Sequence, residues 1–192
     1  MKTIISILII FHCCNLAHGQ STLTTGAATL FSNCMSKLSN DEKNSIYKLL
    51  GFVLSGNKDQ PFASDKDSKD YPFAVIVMPT DMNKDGKEEI FVLFGNSFTS
   101  GNTGSSIVLY IKDAKGAYIA HLGFPGTTPD ALATVNQGYP DLLIGGPGFE
   151  YPVWRWNGKT YDFHRQVKDA DYAKLKKQNV EEVSKAYQLT IK

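Results

Sequence analysis

The residues that most often carry catalysis are scarce in this sequence. It has 3 cysteines and 4 histidines among 192 residues, and beyond residue 19 only Cys34, His121 and His164 remain. No G-x-S-x-G motif is present, and no neighbour in the sequence offers Cys34 a catalytic partner. One thiol cannot form an internal disulfide, so we expect Cys34 to be a buried small residue or to bridge another chain. We predict that the protein is not an enzyme.

Long apolar runs and a net charge are missing as well. The longest apolar run, residues 4–11, is shorter than the roughly 20 residues that span a bilayer. Without Lys2, the 20 basic residues fall to 19 and balance the 19 acidic ones. This balance supplies no basic stripe for nucleic acid or for an anionic membrane surface. We predict neither nucleic-acid binding nor membrane insertion.

The amino terminus has the pattern of a secretory signal peptide. Lys2 precedes the apolar run, and the small residues Ala17 and Gly19 mark a cleavage site after residue 19. Cys13 and Cys14 suggest lipid attachment as an alternative, but the residues before them are large. We predict an exported protein, periplasmic or secreted, that loses residues 1–19.

The most informative motif runs from residue 81 to residue 89. Oxygen-bearing side chains stand at its first, third, fifth and ninth positions, Asp81, Asn83, Asp85 and Glu89, and Gly86 allows a sharp bend between them. Ca²⁺ takes six to eight oxygen ligands at about 2.3 to 2.6 Å, and alternating side chains and backbone carbonyls can supply them. We predict that these four side chains and the carbonyl of Lys87 bind Ca²⁺.

The flanks of the motif distinguish it from an EF-hand. An EF-hand needs a glutamate at its twelfth position, where this chain has Val92, and it needs flanking helices. Here residues 73–78 and 90–94 are β-branched and aromatic runs of strand length. This arrangement resembles the calcium loops of FG-GAP and VCBS repeats in integrin-type β-propellers, over residues 73–95. The resemblance implies the same five ligands, although the family usually has aspartate at the ninth position.

An acidic turn without an ion is the alternative to this metal site. Asp and Asn often hold a turn together through hydrogen bonds to nearby backbone N–H groups. We favour the metal, because four correctly spaced oxygens with the glycine in register exceed what a turn requires.

Hydrophobic periodicity predicts one domain, residues 20–192, with a β-rich centre. Ser39 and the acidic residues after it open a helix in which Ile46, Leu49 and Leu50 recur at helical spacing. The predicted order is a helical region over 20–56, an exposed loop over 56–70, strands within 72–167 and a C-terminal helix over 169–189, interrupted near Asn179. We predict an α+β fold with a mainly antiparallel, propeller-blade-like sheet between N-terminal and C-terminal helices.

A faint internal repeat accompanies the motif. The segments that begin at Gly86 and Gly138 share the glycine, an acid three positions later and three strand-forming apolar residues. With the glycines aligned, the first three ligand positions hold residues without carboxylates, Ala133, Val135 and Gln137. We therefore predict one Ca²⁺ ion, at the first copy only, and a structural role for Asp141.

A second candidate site is an aromatic hairpin around a two-residue Asn157-Gly158 turn. Its strands place four aromatic residues on one face, Trp154, Trp156, Tyr161 and Phe163. Such a face can bind a sugar ring or a protein partner, or it can pack on the core, and both interpretations are open. We predict Trp154, Trp156 and Tyr161 as partner-binding residues, and we expect the Asn96–Ser106 tract to be a mobile binding loop near the ion.

These observations lead to a functional prediction. The chain is expected to be an exported β-rich protein with a structural Ca²⁺ ion, acting as a non-catalytic recognition module. Its partner would be an exported protein or a glycan, with an inhibitor or immunity-type role as one form. The alternative is a small metal-dependent hydrolase of cell-envelope polymers, since the separation of the many carboxylates is invisible in the sequence.

Overall fold

A computed structural model of the chain describes residues 21–145 and 150–191. The predicted signal peptide therefore lies outside the described residues. The described ranges contain five α-helices: α1 (Thr25–Leu30), α2 (Asn40–Leu50), α3 (Ser97–Ser100), α4 (Asp169–Tyr172) and α5 (Val180–Gln188). They also contain eleven strands: β1 (Val53–Leu54), β2 (Phe62–Ala63), β3 (Val75–Thr80), β4 (Glu89–Phe94), β5 (Ser106–Lys112), β6 (Tyr118–Pro125), β7 (Asp130–Asn136), β8 (Tyr139–Leu143), β9 (Glu150–Trp156), β10 (Tyr161–Lys168) and β11 (Lys177–Asn179). Among these helices, none has the length and apolar character that a membrane span requires.

The strands form two large antiparallel sheets and one small hairpin of β1 and β2. In the first sheet, β3, β4, β5 and β6 lie side by side in chain order. The second sheet repeats this pattern with β7, β8, β9 and β10, and β11 is added beside β7. The α+β class predicted from the sequence is confirmed. Each four-stranded meander has the strand number of a propeller blade.

The first sheet is the central layer, since both of its faces are covered. In β4, Ile90 and Val92 pack with α1, α2 and the small hairpin, whereas Phe91 between them packs against the second sheet. The same alternation runs through β5, which is buried along nearly its whole length. Because successive side chains of a strand point to opposite faces, a continuous apolar run marks a strand covered on both sides.

The structure corrects the prediction for the two segments that flank the β-rich region, residues 56–70 and 169–189. The predicted exposed loop over 56–70 includes β2, which is buried and pairs with β1. The predicted C-terminal helix is instead α4, β11 and α5, because residues of β11 pair with β7. The expected interruption near Asn179 is the start of α5, where the Asn179 side chain accepts a hydrogen bond from the N–H of Glu181 at 3.0 Å.

The second sheet differs from the prediction in two places. No sequence pattern predicts β7, because its residues are mostly small or polar and largely exposed. The Asn157-Gly158 turn is longer than predicted, since Trp156 pairs with Tyr161. The Asn157 side chain stabilises this longer loop by accepting the N–H groups of Lys159 and Thr160 at 2.8 and 2.9 Å.

The substitution Phe91→Ala tests the core between the two sheets. Phe91 is fully buried there, so its truncation leaves a cavity and should lower the free energy of unfolding by about 3 to 5 kcal/mol. Phe163→Ala is the matched control, because that ring is 57% exposed and its loss should cost less than about 1 kcal/mol. Urea unfolding measures both values, and equal losses would contradict this assignment of the core.

Candidate metal centre

The predicted calcium loop connects β3 to β4 at one end of the first sheet. Thr80 ends β3, Glu89 begins β4, and the two residues are cross-strand partners. Between them the chain turns through Lys84 and Gly86, whose φ angles of 60° and 82° lie in the left-handed region. Glycine adopts this region at no steric cost, which explains the glycine of the motif.

Hydrogen bonds within the loop fix the side chains that were predicted as ligands. The Asp81 carboxylate accepts the N–H of Gly86 at 3.2 Å, and the Asn83 amide oxygen accepts that of Asp85 at 3.0 Å. Asp85 in turn accepts the N–H of Lys87 at 2.8 Å. Such bonds form in turns with or without an ion, so they agree with both interpretations of the motif.

Three carboxylates converge at the loop. Asp81, Asp85 and Glu89 each offer an oxygen, and these atoms lie within 4.8 Å of one another. Among the described residues, no ion pair joins any of the three to a basic side chain. Negative charges at this separation repel one another, and a cation between them would remove the repulsion. Asn83 lies in the same loop. Coordination of an ion by the Lys87 carbonyl stays a prediction.

Glu89 is the buried member of this group, with 1% of its surface exposed. Its carboxylate accepts hydrogen bonds from the N–H of Met82 at 2.8 Å and from the hydroxyl of Thr80 at 3.1 Å. Burial, reinforced by the charges of Asp81 and Asp85, raises the pKa of Glu89 to about 8. A turn that is held by hydrogen bonds alone needs no third, buried carboxylate. Glu89 therefore favours the metal site over the turn, because burying a carboxylate beside two other acids is costly unless a cation compensates the charge.

The neighbouring residue, Glu88, connects the loop to the segment between α1 and α2 and to α5. Glu88 is buried, and its carboxylate accepts hydrogen bonds from the N–H of Lys37 at 2.8 Å, from the hydroxyl of Tyr187 at 3.1 Å and from the hydroxyl of Ser36. Its carbonyl accepts the hydroxyl of Tyr118 at 3.0 Å. Sequence reasoning missed this role, since a second glutamate at the end of a charged loop resembles a solvated side chain.

The second sheet has a buried acid at the corresponding place, and there an arginine supplies the positive charge. Asp141 lies in β8, is fully buried and accepts the hydroxyl of Thr134, as Glu89 accepts that of Thr80. Arg155 donates to both oxygens of Asp141, at 2.8 and 2.7 Å. The structural role predicted for Asp141 agrees with this ion pair. In the described part of the first sheet, no basic side chain does the same for Glu89.

The aromatic residues of the hairpin share one face, and that face is turned largely towards the core. Trp156 and Tyr161 are buried between the two large sheets, and the half-buried Trp154 packs at the border of the same cluster. Phe163 lies at the rim and is mostly exposed. The core-packing interpretation therefore holds for Trp156 and Tyr161, whereas partner binding through Trp154 stays a prediction.

The Asn96–Ser106 tract lies at the far end of β4 from the candidate ion site. It follows β4, whereas the calcium loop precedes β4, and a strand of 6 residues at about 3.3 Å each separates them by roughly 20 Å. The tract also has local order, because Asn96 caps α3 by accepting the N–H groups of Phe98 and Thr99. The predicted position of this loop is wrong.

No family model, curated protein or solved structure matches this chain. Fold and site define an α+β protein with two consecutive antiparallel meanders and a carboxylate-lined loop in the first. The resemblance to FG-GAP and VCBS repeats stays a prediction.

The pH dependence of stability tests the environment of Glu89. Its pKa is about 8 in the folded chain against an ordinary value of 4.5, so its contribution to stability is complete below pH 4.5 and is lost as the pH rises through about 8. In chelator, the parent protein should therefore lose more than about 1 kcal/mol between pH 5 and pH 8 relative to Glu89→Gln, which carries no titrating group there. Urea unfolding at the two pH values measures this difference. Parallel losses in both proteins would contradict the assignment.

The ion pair of the second sheet allows a separate test. Arg155→Ala leaves Asp141 buried without its positive charge, and we expect the melting temperature to fall clearly. In an Asp141→Asn background the same change should cost much less, because no buried charge is left behind. Thermal unfolding of the four proteins of this cycle gives the coupling. Additive effects would show that Arg155 does not neutralise Asp141.

Proposed function

We propose that this is an exported calcium-binding protein in which one Ca²⁺ ion stabilises a β-rich module for non-catalytic recognition. The partner would be an exported protein or a glycan, and inhibition of another exported protein, or immunity to it, is one form of this task. The observation that carries the proposal is Glu89, a buried carboxylate beside Asp81 and Asp85 with no basic side chain paired to it among the described residues.

The chemistry of the loop favours a hard cation. The converging side chains offer carboxylate oxygens, and neither histidine nor cysteine belongs to the group. Zinc and copper prefer sites with nitrogen and sulfur ligands, whereas calcium takes carboxylates, amide oxygens and backbone carbonyls in flexible geometry. The predicted set of Asp81, Asn83, Asp85, Lys87 and Glu89 would supply at least five oxygens, and water would complete the shell.

The second sheet supports the need for a cation in the first. Both sheets place an acid in the second strand of the meander and a threonine hydroxyl beside it. Arg155 balances the acid of the second sheet, and an ion would balance Glu89 in the same way. Arginine neutralises the buried Asp141, whereas further carboxylates surround the buried Glu89. This difference supports an external cation beside Glu89.

A structural role for the ion follows from what the loop connects. The ion would fix the end of β3 to the start of β4, the two strands nearest the loop in the central sheet. Through Glu88, the same loop contacts the segment after α1 and the helix α5. A catalytic ion would instead need an open water position with a base beside it. The two histidines beyond residue 19, His121 and His164, lie in other strands, outside the carboxylate group.

The likeness to FG-GAP and VCBS repeats belongs to this proposal. Two consecutive four-stranded meanders that pack against one another are compatible with neighbouring propeller blades. Gly86 and Gly138, which align in the faint repeat, both precede the second strand of their meander, with φ angles of 82° and 87°. This correspondence supports a common origin of the two sheets in one repeated unit.

Thermal unfolding with and without Ca²⁺ tests the proposal. At about one hundred times its dissociation constant, the ion should add roughly 2.7 kcal/mol and raise the melting temperature visibly. Asp85→Ala should abolish this shift, because it removes one converging carboxylate. Asp113→Ala is the matched control: Asp113 also accepts backbone N–H groups in a turn, those of Lys115 and Ala117, but belongs to no carboxylate group.

The two variants separate loss of an ion ligand from loss of a turn. A calcium shift that persists in Asp113→Ala and disappears in Asp85→Ala supports the metal site. If the parent protein shows no shift at millimolar Ca²⁺, the loop is an acidic turn and the proposal fails.

A further inference from the structure

A cleft of about 750 Å³ opens beside the calcium loop. Met82 and Lys84 of the loop form one side, and the opposite side comes from Leu175 and Lys176 before β11 and from Val183 of α5. Its volume is within the range of about 300 to 1,000 Å³ that is usual for small-molecule sites. This space is separate from the buried core, and the candidate ion site borders it only at Asp81.

Strand β7 forms the floor of the cleft. Ala131, Ala133 and Val135 of this strand line it, across the irregular pairing of β7 with β8 between residues 131 and 135. The two alanines leave room that larger side chains would fill, and Val135 is 61% exposed. The cleft therefore has an apolar floor that an apolar group could cover.

Basic side chains outnumber acidic ones in the lining of the cleft. Lys84 and Lys176 are exposed and line it, and Lys176 lies opposite Ala133, whose N–H donates to the Lys176 carbonyl at 3.0 Å. Lys177 also lines the cleft, and its ammonium group lies 4.2 Å from the centre of the Tyr172 ring. Asp81 is the one acid in the lining, and it belongs to the candidate ion site.

We propose that this cleft binds a small organic anion with an apolar body, a carboxylate or phosphate carried on a hydrocarbon or aromatic group. The apolar body covers Ala131, Ala133 and Val135, and the anionic group lies between Lys84 and Lys176. Charge complementarity favours an anion, since three lysines and a single carboxylate line this cleft.

Calcium and the anion should strengthen each other's binding, and this part of the inference rests on the proposed function. Without the ion, the charge of Asp81 repels an anion in the cleft; with the ion, that charge is neutralised. Coupling of this kind is reciprocal and typically changes affinity by about fivefold or more. The module would then recognise its ligand in a calcium-dependent way.

The test uses 8-anilinonaphthalene-1-sulfonate, an aromatic anion whose fluorescence rises in apolar surroundings. We expect it to bind the purified protein more tightly in Ca²⁺ than in chelator, and to bind Lys176→Glu about fivefold more weakly. Ala133→Phe fills the floor and should also weaken binding. Lys115→Glu is the matched control, because it makes the same charge change at an exposed turn position that does not line the cleft. Melting curves of all variants verify that each remains folded.

Competition defines the class of ligand, and the variants separate the possible failures. Octanoate should displace the dye, whereas 1-octanol at the same concentration should not; equal displacement would overturn the requirement for an anion. Equal dye affinity in the parent, Lys176→Glu and Ala133→Phe would overturn the cleft itself, even where calcium stabilises the protein. If dye binding depends on the cleft but calcium has no effect on binding or melting, the proposed calcium function fails and the anion site stands.

Discussion

The burial of the Glu89 carboxylate is the constraint around which the first sheet is organised. This side chain lies at the start of the central strand β4, where it is nearly inaccessible to water and close to two further acids. The Glu89 carboxylate has two hydrogen-bond donors among the described residues, Met82 and Thr80, and lies beside two further acids, so its charged form is costly unless a cation neutralises it. Without an ion the chain is left with protonation, which agrees with the pKa of about 8 for Glu89. A calcium ion would let the same group remain ionised at neutral pH.

The two sheets show two solutions to the same electrostatic problem. In the second sheet, a side chain from the neighbouring strand, Arg155, binds Asp141 through two hydrogen bonds. That solution is independent of the surroundings, since the cation is part of the chain. The first sheet would depend on an ion from outside. Because Glu88 beside it accepts hydrogen bonds from the N–H of Lys37 and the hydroxyl of Tyr187, the state of the loop should affect the packing of the segment between α1 and α2 and of α5. A calcium-rich compartment, such as the predicted exported location, would suit this dependence.

Much of the fold could be predicted from the sequence because its signals are local. The apolar runs of β4 and β5 lie in a layer covered on both faces, and continuous hydrophobicity marks such strands clearly. The spacing of Asp81, Asp85 and Glu89 likewise placed three carboxylates at one loop, as the structure does. The elements that the sequence did not predict depend on contacts between residues that are distant in the chain. Strand β7 is built from small and polar residues, and β11 is a strand only because it pairs with β7.

The parts of the candidate site that the sequence did not predict also depend on contacts between distant residues. Glu88 is buried by residues 51 and 99 positions away in the chain, at Lys37 and Tyr187, and no pattern around it indicates this. The cleft beside the loop combines β7 and β11, which the sequence did not predict, with α5, the part of the predicted C-terminal helix that follows the interruption near Asn179. The aromatic face of the hairpin was predicted, but whether it meets solvent or a second sheet depends on packing that the sequence alone does not determine.

Calorimetric titration of the purified protein with Ca²⁺ at pH 6.5 tests most directly whether a calcium ion neutralises Glu89. Repeating it in buffers with different ionisation enthalpies gives the number of protons released on binding. We predict one Ca²⁺ per chain and the release of nearly one proton, because the ion must displace the proton that Glu89 holds at this pH. The Glu89→Gln variant should release none. Absence of binding, or binding by the parent protein without proton release, would contradict the view that a calcium ion neutralises the buried Glu89.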